Sequence, residues 1–144
     1  MMGGFGSFVF VIIKPDAMGK NLVGEIISRF ENEGFEILAM RCGIPSSNLI
    51  EKIYEEHSEK EFFPKLVEYI CEDKVCFIWL GHKEKNGVEI ARALVGDSPP
   101  NEKPGTIRGD YATDFRRNAV HASDSSESAM REIELVFPNG NLIK

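Results

Sequence analysis

The sequence has no long apolar segment. None of its hydrophobic runs reaches the roughly eighteen residues that a membrane-spanning helix requires. The stretch from Met1 to Ser7 carries no basic side chain, whereas secretory signal peptides begin with positive charge. We therefore expect a cytoplasmic protein without a membrane partner.

Basic residues are also scarce. The 17 Lys and Arg residues face 23 Asp and Glu residues, which gives a formal net charge of −6. Affinity for nucleic acid rests largely on a basic surface that neutralises phosphates. The composition argues against a general nucleic-acid binder, and an anionic ligand would require a local basic pocket.

Cysteine is rare, and its spacing fits no metal site. The three residues, Cys42, Cys71 and Cys76, are odd in number and each lies in an apolar segment. Buried thiols in a reducing compartment are the expected state, in preference to disulfides.

The common motifs of nucleotide, metal and hydrolase sites are missing as well. The sequence contains neither a Walker loop nor G-x-G-x-x-G, and it lacks Cys-x-x-Cys, His-Glu-x-x-His and Gly-x-Ser-x-Gly. Any chemistry must therefore come from residues that folding brings together from distant segments.

What is present is the pattern of a globular α/β protein. The 144 residues, 42% of them hydrophobic, suffice for one domain spanning residues 1–144. Continuous apolar runs predict strands at 8–13, 35–42 and 75–80. Helical periodicity separates them, with Gly34 closing one helix and Ser46 near the start of the next. These elements predict an α/β (α+β) sandwich in which helices cover about four strands.

His121 lies in a stretch that suits chemistry. Ala119 and Val120 predict a short buried strand, and Asp124 followed by Glu127 is typical of a helix N-cap with its capping-box partner. His121 would lie at the strand-to-helix junction, where a stiff backbone can hold an imidazole. The alternative is a histidine that only completes a strand.

Three cations stand near the ends of predicted elements: Lys14, Arg92 and Arg108. Guanidinium groups suit phosphate oxygens, and a neutral imidazole is nucleophilic near pH 7. If these residues gather around His121, the set favours phosphoryl transfer.

Five segments carry a resemblance to a known family. They are Ile13-Lys14-Pro15-Asp16, Leu22-Val23-Gly24-Glu25-Ile26-Ile27, Phe62-Phe63-Pro64, Lys103-Pro104-Gly105-Thr106-Ile107-Arg108-Gly109-Asp110, and Asn118 to Ser125. In this order, and over most of the chain from Phe8 to Phe137, the sequence resembles the nucleoside diphosphate kinases.

The resemblance implies a ferredoxin-like fold with a four-stranded antiparallel sheet covered by helices. It implies that a γ-phosphate passes between nucleotides by ping-pong exchange through phospho-His121. Mg²⁺ would arrive with the nucleotide phosphates, so no metal ligands are expected from the protein. The substrates would be nucleoside di- and triphosphates such as ATP, GTP, CTP, UTP and their deoxy forms, and the assembly a homo-oligomer, either tetramer or hexamer.

The resemblance also assigns roles to individual residues. The expected catalytic residues are His121, Glu132, Ser123 and Lys14, with Glu132 orienting the imidazole and Ser123 bonded nearby. The expected nucleotide-binding residues are Lys14, Tyr54, Phe62, Leu66, Arg92, Ser98, Arg108 and Asn118, with Phe62 stacking on the base.

Some positions depart from the family pattern. Ala122 and Arg116 stand where glycine is frequent, and Ala122 would be strained if its φ were positive. The loop between Ser98 and Lys103 is about one residue shorter than in many members, which leaves tetramer and hexamer open. The rival functions are a non-catalytic scaffolding member and a histidine phosphotransfer protein. The strand content argues against the histidine phosphotransfer protein. The scaffolding member is disfavoured because the expected site residues are all present: His121, Lys14, Asn118, Arg108 and Glu132.

Overall fold

A four-stranded antiparallel sheet forms the centre of the protein. The computed structural model describes residues 3–141. The strands are β1 (Ser7–Ile13), β2 (Glu36–Gly43), β3 (Val75–His82) and β4 (Val120–Ala122). Their order across the sheet is β2-β3-β1-β4, and every neighbouring pair is antiparallel. The predicted ferredoxin-like sheet is confirmed, and β2 and β4 are its edges.

Helices cover both faces of this sheet. The α-helices are α1 (Pro15–Gly19), α2 (Val23–Asn32), α3 (Ser47–Ile53), α4 (Phe63–Ile70), α5 (Gly87–Val95), α6 (Ile107–Tyr111) and α7 (Ser126–Val136), and 3-10 helices span Glu55–His57 and Pro138–Asn141. Helices α2, α5 and α6 pack on one face, and α3, α4 and α7 pack on the other.

Strand β1 explains why two layers of helices are needed. Successive side chains of a strand point to opposite faces, and here both sets are apolar. Val9, Val11 and Ile13 join the core under α2 and α5, whereas Phe10 and Ile12 join the core under α3, α4 and α7. Because all five are fully buried, neither face of the sheet can be left to solvent.

Local signals mark several helix ends correctly. Gly34 follows α2 with a φ of +92°, a conformation that glycine adopts without steric cost. Ser46 caps α3, since its hydroxyl accepts a hydrogen bond from the Leu49 backbone N–H at 3.2 Å. Both predictions are confirmed.

The predicted cap of α7 is wrong by one residue. Ser125 is the N-cap, and its hydroxyl accepts from the Ser128 backbone N–H at 3.0 Å. Asp124 lies just before the cap and lines the candidate site instead. Serine and aspartate cap helices about equally well, so the backbone geometry decides between adjacent candidates.

The cysteines are free, but they are not uniformly buried. Cys76 is buried, Cys71 is intermediate, and Cys42 on edge strand β2 is exposed, which corrects the expectation for Cys42. The sulfur atoms of Cys42 and Cys76 lie 2.8 Å apart across paired strands. Within residues 3–141, no helix is both long and apolar enough to cross a bilayer.

Candidate active site

A cavity of about 400 Å³ opens beside edge strand β4. Its walls come from segments that are far apart in the sequence. The lining residues are Lys14, Tyr54, Glu56, His57, Lys60, Phe62, Leu66, Arg92, Arg108, Phe115, Arg116, Asn118, His121, Ala122 and Asp124. The cavity therefore combines one histidine of β4 with a strongly cationic lining and a short apolar wall.

His121 is held from behind by α7. Its Nε2 lies 3.2 Å from Oε1 of Glu132, whose side chain is only 1% exposed. The Ser123 hydroxyl lies 3.0 Å from the same oxygen and also accepts from the Phe10 backbone N–H. The other ring nitrogen, Nδ1, makes no such contact with Glu132, so an Nε2–H tautomer would leave Nδ1 as the basic atom.

Two aromatic rings fix the plane of the imidazole. The ring centroid of Tyr54 lies 5.1 Å from that of His121, and the centroid of Phe10 lies 6.3 Å away, both in edge-to-face arrangements. The neighbours of His121 in β4, Val120 and Ala122, point to the opposite core. The alternation of the strand thus directs the histidine alone toward α3 and α7.

The unusual backbone conformation before His121 lies at Ala119. This residue has a φ of +73°, its N–H donates to Oδ2 of Asp16 at 3.0 Å, and its carbonyl oxygen accepts from the Lys14 N–H at 2.9 Å. Ala122, which replaces a frequent glycine and would be strained at positive φ, lies in β4 and has no positive φ. Hydrogen bonds with residues at the end of β1 therefore hold Ala119 in its strained conformation and fix where β4 begins.

Two arginines cap the free edge of β4. Within this strand the odd-numbered residues bond to β1, so the carbonyl groups of Val120 and Ala122 point away from the sheet. Arg108 of α6 donates to the Val120 oxygen at 2.9 Å, and Arg92 of α5 donates to the Ala122 oxygen at 3.2 Å. Satisfying the edge thus brings two guanidinium groups to either side of His121.

Lys14 extends the cationic lining through a chain of hydrogen bonds. Its ammonium donates to Oδ1 of Asn118 at 2.6 Å, and the Asn118 amide donates to the Ser98 hydroxyl at 2.7 Å. Burial, followed by the positive charge of Arg108, lowers the pKa of Lys14 to about 7. Ser98 does not line the cavity itself; it orients the asparagine that does.

Two buried donors in the cavity have no hydrogen-bond partner among the described residues. They are the hydroxyl of Tyr54 and Nε of Arg108. Burial and the nearby charge of Glu132 raise the pKa of Tyr54, so its hydroxyl keeps its proton near neutral pH. Burial lowers the pKa of Arg108 from its very high ordinary value. Both groups can donate to an anion that enters the cavity.

The apolar wall consists of Phe62, Leu66 and Phe115. The rings of Phe62 and Phe115 lie 6.1 Å apart, and Phe115 is 61% exposed. The Lys60 ammonium lies 5.6 Å from the centroid of Phe62. These residues offer a flat surface at the mouth of a pocket whose interior is charged.

The structure brings together most of the residues expected from the sequence. Ser123 and Glu132 lie behind His121, Ser98 lies behind Asn118, and the remaining expected residues line the cavity. Sequence reasoning missed Glu56, Lys60, Phe115 and Asp124 as lining residues.

His57 is a correction, because its acidic neighbours had indicated a solvated helix face. Instead, the 3-10 helix Glu55–His57 turns the chain, and the His57 ring packs 5.8 Å from that of Phe62. Its Nδ1 lies 2.8 Å from the Lys60 ammonium. Partial burial, followed by the charge of Lys60, lowers the pKa of His57. The sequence signal that could have predicted this position is that His57 lies between Tyr54 and Phe62, two residues already expected in the site.

No group of three or more His, Cys, Asp and Glu side chains within residues 3–141 is arranged to hold a metal ion.

Arg116, which stands where glycine is frequent in the family, lines the cavity and also a second depression beside α4. Its backbone N–H donates to Oδ1 of Asp114 at 3.0 Å.

Comparison with known proteins gives a consistent result. The sequence profile described as nucleoside diphosphate kinase matches residues 8–142. A nucleoside diphosphate kinase of Schizosaccharomyces pombe is 46% identical over 130 residues, covering 89% of this chain and 84% of the yeast protein. That of Methanocaldococcus jannaschii is 44% identical over 129 residues, covering 89% and 91%.

A solved structure extends the similarity to three dimensions. The crystal structure of nucleoside diphosphate kinase from Encephalitozoon cuniculi superimposes with a TM-score of 0.86 at 35% identity, covering 96% of this chain and 93% of that one. The family profile, the curated relatives and the fold therefore agree with one another. The chain belongs to the nucleoside diphosphate kinase family of phosphotransferases.

Proposed function

We propose that this protein transfers the γ-phosphate of a nucleoside triphosphate to a nucleoside diphosphate through phospho-His121. The observation that carries the proposal is the arrangement of the imidazole. Oε1 of Glu132 lies 3.2 Å from Nε2 of His121, which leaves Nδ1 free of this contact. The ring lies in a cavity lined by Lys14, Arg92 and Arg108. A nucleophile with an oriented ring and nearby cations suits attack on a phosphate.

In the first half-reaction, Nδ1 of His121 attacks the γ-phosphorus. The N–P bond forms as the bond from the γ-phosphorus to the β,γ-bridging oxygen breaks, and the diphosphate leaves with that electron pair. The imidazole carries positive charge as the bond forms, and the carboxylate of Glu132 stabilises it from the opposite side of the ring. Ser123 keeps Oε1 of Glu132 directed at the ring.

In the second half-reaction, a terminal β-phosphate oxygen of the incoming diphosphate attacks the phosphohistidine. The N–P bond breaks, and its electron pair returns to Nδ1 of His121. Because the same cavity must accept both nucleotides in turn, exchange is ping-pong. The cationic lining stabilises charge on the transferring group in both directions.

Different parts of the cavity suit different parts of a nucleotide. Arg92, Arg108 and Tyr54 supply donors for the phosphates, and the latter two have the unpartnered groups. Lys14 and Asn118, backed by Ser98, would bind phosphate and the ribose hydroxyl. Phe62 and Leu66 would contact the base through apolar surface. Since stacking reads no hydrogen-bond pattern, we infer broad base specificity.

Mg²⁺ fits this arrangement as a companion of the nucleotide. The cavity carries two carboxylates, Asp124 and Glu56, among its cations. Carboxylate oxygens suit Mg²⁺, which keeps several waters and binds mainly through nucleotide phosphates. Asp124 would contact the hydrated ion, whose charge would neutralise phosphate oxygens.

We infer a cytoplasmic homo-oligomer. Free thiols favour a reducing compartment. Edge strand β2 and the residue after it expose apolar side chains of Ile37, Met40 and Ile44, which a second copy could cover. Light scattering on the purified protein would distinguish monomer, tetramer and hexamer.

Labelling with γ-labelled ATP and Mg²⁺ tests the phosphohistidine. The wild type is expected to retain acid-labile label after denaturation and to pass it to GDP, CDP or UDP. His121→Ala should take up no label, and Glu132→Gln should take it up slowly. His57→Ala is the matched control, because it removes the other cavity histidine and should keep the label. Label on His121→Ala, or none on the wild type, would refute the intermediate.

A further inference from the structure

Arg131, the residue before Glu132 in α7, joins two parts of the candidate site that otherwise belong to separate helices. Its Nη1 donates to the Lys52 carbonyl oxygen at 2.8 Å, and its Nη2 donates to the Ile53 carbonyl oxygen at 3.1 Å. These are the carbonyls of the last two residues of α3, where the helix ends and few of its own N–H donors remain; the N–H of the C-cap residue Tyr54 is also directed at the Lys52 oxygen. The guanidinium therefore caps the end of α3, and Tyr54 follows directly.

The same guanidinium faces the charge behind His121. Nη2 of Arg131 lies 3.8 Å from Oε2 of Glu132, the carboxylate oxygen that neither His121 nor Ser123 contacts. Glu132 is 1% exposed and Arg131 is 33% exposed. A buried carboxylate needs a compensating charge, and a half-buried guanidinium can supply it without being fully desolvated itself.

We propose that Arg131 is a positioning residue for phosphoryl transfer: by holding the end of α3 and the outer oxygen of Glu132 together, it fixes Tyr54 and the Glu132–His121 pair in one relative arrangement. This inference rests on the proposed function. It assigns Arg131 no contact with the nucleotide, since it does not line the cavity.

A purely structural ion pair is the competing explanation. Arg131 also lies 3.6 Å from Glu55, whose side chain is 64% exposed, and exposed pairs of this kind contribute little. The contacts with α3 and Glu132 differ from that pair because they are directed at a helix terminus and at a buried charge. A structural role alone predicts lost stability without a specific effect on His121.

The chain offers a matched control. Arg41 of β2 donates to the Val136 carbonyl oxygen at 3.1 Å, so it caps the last turn of the same helix α7, and it does not line the cavity. Arg41→Met and Arg131→Met each remove a guanidinium that bonds a helix end. Only the second removes a partner of Glu132.

Kinetics give the first test. We expect Arg131→Met to slow phosphorylation of His121 by roughly tenfold, by analogy with residues that orient the ligands of metal sites, with little change in nucleotide KM. Arg131→Lys should recover part of the rate, because it restores charge without the two-carbonyl fork. In the Glu132→Gln background, Arg131→Met should cost little more, since both changes disrupt one unit.

Ring ¹⁵N chemical shifts of His121 in the free protein provide a measurement that needs no turnover. The wild type and Arg41→Met should show the Nε2–H tautomer, and Arg131→Met a mixture. An unchanged tautomer and rate in Arg131→Met, an equal loss in Arg41→Met, or a fully additive loss with Glu132→Gln would each overturn the inference. Absence of phosphohistidine in the wild type would instead overturn the proposed function, and the tautomer measurement would still test Arg131.

Discussion

Oδ2 of Asp16, in the first turn after β1, accepts a hydrogen bond from the backbone N–H of Ala119 across 103 residues of sequence. Its other carboxylate oxygen accepts from the hydroxyl of Tyr69 on α4, and the Asp16 backbone N–H donates back to that hydroxyl. One aspartate thus ties α4 and the start of β4 to the end of β1.

Replacing Asp16 should destabilise the protein. Asp16→Ala leaves the fully buried Ala119 N–H and the Tyr69 hydroxyl without their acceptors, and we expect a loss of about 2 kcal/mol in the free energy of unfolding. Asp16→Asn keeps an acceptor for Ala119 and should lose less. Urea denaturation of the three proteins measures this. Equal stability of Asp16→Ala and wild type would contradict the assigned role.

Nucleotide binding should take up a proton through Lys14. With a folded pKa of about 7 against an ordinary value of 10.5, Lys14 is largely neutral in the free protein at pH 8, and bound phosphates favour its charged form. Calorimetric titration with ADP in buffers of different ionisation enthalpy should show the uptake. Lys14→Met should abolish it, whereas Lys20→Met, which changes an exposed lysine, should not.

The same pKa shift predicts how stability depends on pH. The unfolded chain binds more protons at Lys14 than the folded chain does between pH 7 and 10.5, so this residue makes the free energy of unfolding rise with pH across that window. Lys14→Met should flatten the rise. A wild type and a variant with parallel stability profiles between these pH values would exclude the shift.

Removing the ring of Phe62 should weaken binding of every nucleotide to a similar extent. Stacking of a base on an aromatic ring contributes about 1–3 kcal/mol, so Phe62→Ala should raise KM for the diphosphate by roughly 5- to 150-fold. Phe62→Tyr keeps the aromatic face and serves as the control. Steady-state kinetics with GDP, CDP and UDP provide the test. A loss confined to one base would show that Phe62 contributes to base specificity rather than to stacking on any base.

The cap of α7 can be assigned by two substitutions. Ser125→Ala removes the acceptor for the Ser128 N–H and should cost about 1 kcal/mol of stability. Asp124→Ala should leave the midpoint of thermal unfolding within about a degree of the wild type, because a surface change of a few tenths of a kcal/mol shifts it little. The reverse ranking would restore Asp124 as the cap.

Much of this fold could be predicted from the sequence because its strong signals are local. The apolar run of β1, the cap at Ser46 and Gly34 each act through neighbouring residues, and the structure confirms all three. The family resemblance supplied the expected site, since His121, Lys14 and Arg108 stand in long ordered motifs.

What escaped prediction depends on distant contacts. Alanine carries no sign of a positive φ. At Ala119 that φ is imposed by two hydrogen bonds, one that its N–H donates to Asp16 and one that its carbonyl oxygen accepts from the Lys14 N–H. The acidic surroundings of His57 indicated solvent, whereas the turn after Tyr54 directs it against Phe62. Charged neighbours in the sequence therefore predict the exposure of a side chain poorly where the chain changes direction within one turn.

The short length of β4 has a consequence for how activity appears during folding. This strand has three residues, and within residues 3–141 it pairs with β1 alone. The contacts that fix its start and end join residues 103 to 113 positions apart. Such contacts close long loops, and we expect them to form after the local helices. During refolding, helical circular dichroism should therefore recover before catalytic activity does, and the interval between them measures the docking of the His121 strand.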